Sequence, residues 1–321
     1  MAIRSGLASQ LGWKEESVYG TYVAPDKFAQ HVGFAVKLDQ EEIQSSALRA
    51  GQLNLRSDQR VNNRLGVEGE LEFELRTKGF GLWHKHGWGA SAITTPSGAT
   101  STRRHTYQLA DLFPGSLTVQ GGVPDVGGTV RPFSWLGCKV TSWSLQQSVD
   151  ELLKLTVGLD GMDETTTQAL AATSYPASDA LFEYGQCVVN VGGAAFHASS
   201  FACTLAKQLK TDRRFLRGSQ LKKEPVANGL RSLDGTLVGE FEDLTAYNRF
   251  VSKTAAQIDV TWTGALIETG FNHTLTLTLP VCLFTGETPG VGGPDVVEQT
   301  LPFTVLDEDA SLVWDTTDTT D

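Results

Sequence analysis

Hydrophobic and polar positions alternate with a period of two along much of this chain. Val67-Glu68-Gly69-Glu70-Leu71-Glu72-Phe73-Glu74-Leu75 sets four glutamates on one side and Leu71, Phe73 and Leu75 on the other. That is the pattern of a strand with one buried face. Residues 233–242 do the same, with Asp234, Glu240 and Glu242 opposed to Leu233, Leu237 and Phe241. Residues 139–145, 153–159 and 273–279 read as further strands, the last with Thr274, Thr276 and Thr278 facing away from its leucines. Helical signals are brief. Residues 77–88 follow the first acidic strand and residues 243–255 the second, with Asp243 or Thr245 placed to cap the latter. Glycines at 79, 81 and 87 weaken the first helix.

These elements come twice. Phe34-Ala35-x-x-Leu38 returns as Phe201-Ala202-x-x-Leu205, and Leu48-Arg49-x-x-Gln52-Leu53 as Leu216-Arg217-x-x-Gln220-Leu221. Gly69-x-Leu71 returns as Gly235-x-Leu237, and His105-Thr106-x-x-Leu109 as His273-Thr274-x-x-Leu277. Pro124-Asp125-Val126 with Pro132-Phe133-Ser134 returns as Pro294-Asp295-Val296 with Pro302-Phe303-Thr304. The common order predicts a duplication, with one domain over residues 1–170, a second over 176–321, and a small-residue linker at 169–178. Residues 148–160 and 186–196 lack evident counterparts. Two polar, charge-mixed stretches, 40–64 and 207–231, precede the acidic strands; loops of that length usually reach a partner.

Composition agrees with two ordinary cores: 321 residues, 40% hydrophobic and 20% charged. Four scattered cysteines without CxxC spacing read as buried reduced thiols. No apolar run is long enough to span a bilayer, and the N-terminus lacks a secretory signal, so folding in cytoplasm is expected. The net charge of −11 falls wholly in residues 254–321, which contain no Lys or Arg. Such a surface does not hold nucleic acid, because it lacks cations to neutralise phosphates.

Catalytic signatures are absent: no P-loop, GxGxxG, GxSxG or HExxH occurs. His84 and His86, two apart, would splay on a helix, so surface histidines are favoured over a zinc pair. Asp160-Gly161-Met162-Asp163-Glu164 lacks the glycine and distal glutamate of a calcium loop and reads as a solvated turn. The row of glutamates on one strand face does not oppose carboxyls across a substrate, as glycoside hydrolysis needs. It is either a solvated face or a purposely acidic one. Trp83, Trp88, Trp135 and Trp143 lack the basic setting of a single-strand binder and are assigned to the core. No enzyme, metal or cofactor is expected.

Several segments resemble the major tail tube proteins of long-tailed, non-contractile (siphovirus-type) bacteriophages. They are Ser5-Gly6-Leu7-Ala8-Ser9-Gln10-Leu11-Gly12, Thr77-Lys78-Gly79-Phe80-Gly81-Leu82, Gly137-Cys138-Lys139-Val140-Thr141-Ser142-Trp143, Phe241-Glu242-Asp243-Leu244-Thr245 and Gly293-Pro294-Asp295-Val296. The resemblance implies two tandem tail-tube β-sandwich or barrel domains, each with one short helix and a long loop. It implies stacked rings whose inner sheets join into a β-barrel, a channel through which DNA passes without specific binding. Two tube domains per chain give pseudo-sixfold rings as homotrimers, with a hexamer as the alternative. Implied partners are a tape-measure protein, a distal tail protein and a tail terminator, with no membrane, in the virion tail. Glu68, Glu70, Glu72, Glu74, Asp234, Glu240 and Glu242 become channel-lining candidates. Arg49, Gln52, Arg60, Arg217, Gln220 and Lys222 become inter-subunit loop candidates, and the acidic C-terminus is expected as an arm. A single-ring tail component, such as a distal tail or tail-completion protein, and a carbohydrate-binding or hydrolytic β-sandwich are the rival readings.

Overall fold

A computed structural model describes residues 5–111, 115–286, 288–291, 293–294 and 296–321. The first four residues and Asp295 of the Pro294-Asp295-Val296 motif, each part of a sequence reading above, lie outside them. The chain is mainly β, with two α-helices, Gly81–Trp88 and Thr245–Ser252, among the described residues.

The alternating glutamate run lies in the Arg60–Glu74 strand, where Val67, Leu71 and Phe73 are buried. From it one antiparallel sheet runs across both halves of the chain. Next come Lys154–Gly161, then residues 142–148 of the Val130–Ser148 strand, then Ala198–Ala206, Ser232–Glu240 and Glu298–Val305. Gly33–Phe34 and Lys37–Gln44 form the far edge beside Arg60–Glu74. Because pleating sends neighbours to opposite faces, each rung is uniform in character. Leu71, Val157, Trp143, Leu205 and Leu233 align in register toward the core.

A second layer covers that core. Val130–Ser148 continues into it, where its first part pairs with Ser116–Pro124 and Asp163–Thr165, and Ser116–Pro124 pairs with Gln10–Glu16. Phe271–Phe284 makes the same passage in the second half. It pairs with Ala256–Glu268 and Ser311–Thr316 along its first part and with Glu298–Val305 at its end. Cys187–Val191 then flanks Ala256–Glu268.

The two halves repeat in register. Phe34 lies opposite Leu71 as Phe201 lies opposite Leu237. Val157 lies opposite Leu71 as Leu301 lies opposite Leu237. Buried Cys138 pairs with Leu117 beside a bulge, and buried Cys282 pairs with Ala256 beside a bulge. The repeated glycines have one cause: a Cβ on Gly69 would meet Ala35 O at 2.3 Å, and one on Gly235 would meet Ala202 O at 2.5 Å. Gln10–Glu16 answers to Cys187–Val191, and Lys154–Gly161 to Glu298–Val305. The stretches that lacked counterparts in the sequence therefore have them in the fold.

Two of the sequence matches do not survive. A hairpin of Gly89–Thr94 and Arg103–Leu109 follows the first helix, and nothing like it follows the second. His105 lies in this hairpin, so His273 is not its equivalent. Pro132 lies on a second-layer pairing with Gly122, whereas Pro302 pairs with Thr236 in the long sheet. The hairpin pairs with Ser311–Thr316 of the second half, interlocking the two. The acidic C-terminus, expected as an arm, is packed here. Thr316 Oγ1 donates to Thr77 O (2.7 Å), Gly79 N to Asp318 (2.6 Å) and Ser91 Oγ to Asp321 (2.7 Å).

Candidate functional site

The outer face of the long sheet is the first candidate. Its central rung is Glu72, Thr156, Ser144, Thr204, Asp234 and Thr304, aligned across both halves. The flanking rungs add Glu70 opposite Gly158 and Ser142, and Glu74 opposite Lys154 and Gln146. Glu68, Glu70, Glu72, Asp234 and Glu240 are exposed and Glu74 half-buried, all on this face. Glu242 is exposed beyond the end of its strand, with its carboxylate 2.9 Å from His197 Nδ1. Glu298, opposite Glu240, belongs to the same surface. The sequence reading missed it, although Glu298-Gln299-Thr300-Leu301 alternates as clearly as the segments it used. Lys37, paired to Glu68 at 3.1 Å, and Lys154 are cations on this face. Arg64, paired to Glu41 at 2.7 Å, is a further cation there, and the remaining positions are mostly serine, threonine, alanine and glycine, with Gln146, Val238 and Pro302 among them. With both lysines already paired to glutamates, a surface of carboxylates and mostly short side chains repels phosphates and offers bases no ring to stack on.

The two polar stretches are the second candidate, and they differ. Residues 40–64 are less a loop than a hairpin, with Lys37–Gln44 paired to Arg60–Glu74. Arg49 and Gln52 are exposed at its tip, and Arg60 is ion-paired to Glu42. Residues 207–231 are mostly irregular and lie down on the first half. Gln220 Nε2 donates to Asn62 O (2.7 Å), Leu65 N to Gln220 O (3.3 Å) and Arg214 Nη1 to Leu65 O (2.9 Å). Arg217 only braces its own loop, bonding Leu221 O. Lys222 is buried, bonded to Asp160 and to Val67 O. Burial raises the Asp160 carboxyl to about 6 against the pull of Lys222. Asp160 thus lies in an ion pair inside the protein and not in a solvated turn. Its partner comes from 62 residues further along, a distance no local pattern spans.

His84 and His86 are likewise buried instead of lying on the surface. The inserted hairpin and the C-terminal strand cover their helix, and His84 touches the rings of Tyr107, Trp143 and Trp314. Trp143 Nε1 donates to His84 Nδ1 at 3.2 Å. Desolvation lowers the His84 pKa to about 3 and that of His86 to about 4, so both are neutral at pH 7. Trp83, Trp88, Trp135 and Trp143 are core residues, as their sequence setting implied. No helix among the described residues is long and apolar enough to cross a membrane.

Residues 6–305 match the family described as phage tail tube protein. The chain belongs to the phage tail tube protein family. No curated protein matches it. Membership makes this chain a structural component of the virion tail, in a family of structural tail proteins and not of enzymes. Tail tube proteins assemble with themselves and with other tail proteins.

Proposed function

We propose that the chain polymerises into stacked rings that form the tail tube, with three chains per ring and the acidic sheet face toward the channel. Residues 1–170 and 176–321 act as two tube-type domains, so three chains present six walls. One observation carries this reading: the second-half edge strand Ala198–Ala206 is paired with residues 142–148 of the first half. The equivalent first-half edge, Gly33–Phe34 and Lys37–Gln44, has Arg60–Glu74 as its one neighbour among the described residues. Repeating the internal pairing between chains sets this edge beside the segment that follows Phe284 in the next chain. Each copy then covers the exposed edge of its neighbour, and a ring has no edge left.

Glu68, Glu70, Glu72, Glu74, Asp234, Glu240 and Glu242 then repel the phosphate backbone, so DNA slides through without being bound. The tape-measure, distal tail and terminator proteins complete the tail. Negative-stain microscopy of the purified chain tests the reading: it predicts long tubes. Isolated rings would favour a single-ring tail component, and monomers at high concentration would reject assembly altogether.

A further inference from the structure

The two arms carry the same motif, yet one is docked and the other is bare. In the docked arm, Gln220 of Leu216-Arg217-x-x-Gln220-Leu221 reaches the Asn62 main chain, and Lys222 enters the first half beside Asp160 and Val67. In the other arm the motif is Leu48-Arg49-x-x-Gln52-Leu53, so Gln52 answers to Gln220 and Asn54 to Lys222. Leu48, Leu53 and Leu55 stand exposed there. That arrangement is costly in water unless something covers it.

The receiving surface also recurs. The registers of the long sheet make Leu233 the counterpart of Val67 and Thr304 of Asp160, and the same offset, counted back beyond the start of the Ser232–Glu240 strand, carries Asn62 to Asn228. At that place lies an open groove of about 420 Å³, lined by Leu230, Arg231, Leu233 and Val305 of the second half and by Leu109 and Asp111 at the end of the inserted hairpin. Leu230 and Leu306 are exposed along it. The two sides change together: Lys222 with Asp160 is a cation and an anion, whereas Asn54 with Thr304 is a neutral pair. An asparagine facing the buried Asp160 carboxylate would leave that charge without a partner, whereas the Thr304 hydroxyl is already satisfied, donating to Asp234 (2.8 Å).

The bare arm does not reach this groove in its own chain. It rises from one end of the long sheet, and the groove lies beside Ser232–Glu240 and Glu298–Val305 at the other. Five or six strand spacings of roughly 4.8 Å separate them. The docked arm leans toward the Arg60–Glu74 end, and an arm leaning the same way from that end points off the molecule.

We infer that residues 45–59 of one chain dock in the second-half groove of the next chain around the ring, with Gln52 on the Asn228 main chain and Asn54 beside Thr304. This rests on the ring reading and names the contact that closes it. The internal dock of residues 211–225 is its template, so the ring is held by six like contacts, three within chains and three between them.

Cysteine cross-linking in the assembled full-length chain tests this. Gln220→Cys with Asn62→Cys links within one chain and calibrates the reaction. The native thiols interfere little, since Cys138, Cys203 and Cys282 are buried and burial pushes the Cys187 thiol up to about 12. Gln52→Cys with Asn228→Cys should give a denaturing-gel ladder of one, two and three chains that stops at three. Should that double variant assemble poorly, an equal mixture of the two single variants should yield covalent dimers and nothing larger. A ladder running past three would overturn the inference, because the arm would then join rings along the tube. So would intact tubes without any cross-link, which would leave the ring reading standing. A wild-type chain that forms neither rings nor tubes sinks the ring reading itself, and this contact with it.

Discussion

Two equivalent edge strands of this tail tube protein differ in a single respect. Ala198–Ala206 is bonded on both sides, to residues 142–148 and to Ser232–Glu240, whereas among the described residues Gly33–Phe34 and Lys37–Gln44 are bonded on one. The arms that follow them differ likewise: residues 207–231 are docked on the first half, whereas the tip at residues 45–59 exposes Leu48, Leu53 and Leu55. In the proposed ring, the molecule holds both the finished form of a contact and its copy awaiting the next chain. A duplicated chain can show, inside one molecule, how it joins to the next.

Proline substitution at matched places gives the largest expected effect. Cys203→Pro, within the doubly bonded strand, removes a ladder hydrogen bond and a core side chain, costing about 3 kcal/mol or more. It should leave the chain insoluble or unfolded by circular dichroism. Ala35 N donates to Glu70 O (2.9 Å), so the Val36 amide faces the free edge. Val36→Pro should therefore keep the melting temperature within a few degrees while abolishing tubes. Equal damage from both substitutions would remove the distinction between the edges.

The arms separate next. Lys222→Ala strands the Asp160 carboxylate in the interior, and breaking such a buried pair costs about 3–5 kcal/mol. Asn54→Ala should change the stability of the single chain by no more than about 0.5 kcal/mol and weaken assembly only. Urea titration of both variants, alongside sedimentation of the assembled material, reads the two effects separately.

Acid sharpens the contrast between the helices. Gly81–Trp88 is buried around His84 and His86, whereas Thr245–Ser252 has no buried residue and no histidine. Unfolding frees both histidines to titrate near 6.5, above their folded values of about 4 and 3. Their contribution is complete above pH 6.5 and is lost as pH falls, at about 1.4 kcal/mol per pH unit for each. Hydrogen exchange at pH 5 should open the first helix before the strands around the second. His84→Gln should flatten the dependence; an unaltered slope would place the acid sensitivity elsewhere. The smallest effect is on the sheet face. Glu70→Lys with Glu72→Lys should leave tube assembly unchanged and slow DNA ejection, and unchanged ejection would count against a channel-facing surface.

Much of this was legible in the chain itself. A half-buried strand must alternate, so Val67 to Leu75 declared its strand, its core side and its acidic side at once. The early repeat matches held because Gly69 and Gly235 answer to one steric demand, the approach of a neighbouring carbonyl. The first helix starts at Gly81 and not at 77, after Gly79 takes a left-handed φ of +87°. What was hidden came from far along the sequence. The inserted hairpin shifted the later strands and made His105 and His273 false partners. The same hairpin and the C-terminal strand covered histidines that their own helix left looking exposed. Lys222 buried Asp160 from another half of the molecule, and no local periodicity records that.

The stoichiometry of the ring tests the central claim most directly, and electron cryomicroscopy of assembled tubes measures it. Three chains per ring are predicted, with threefold symmetry and six walls alternating between the two halves. Six copies of the whole chain in one ring would contradict the account, because the internal pairing of Ala198–Ala206 would then not be the pattern by which the ring closes.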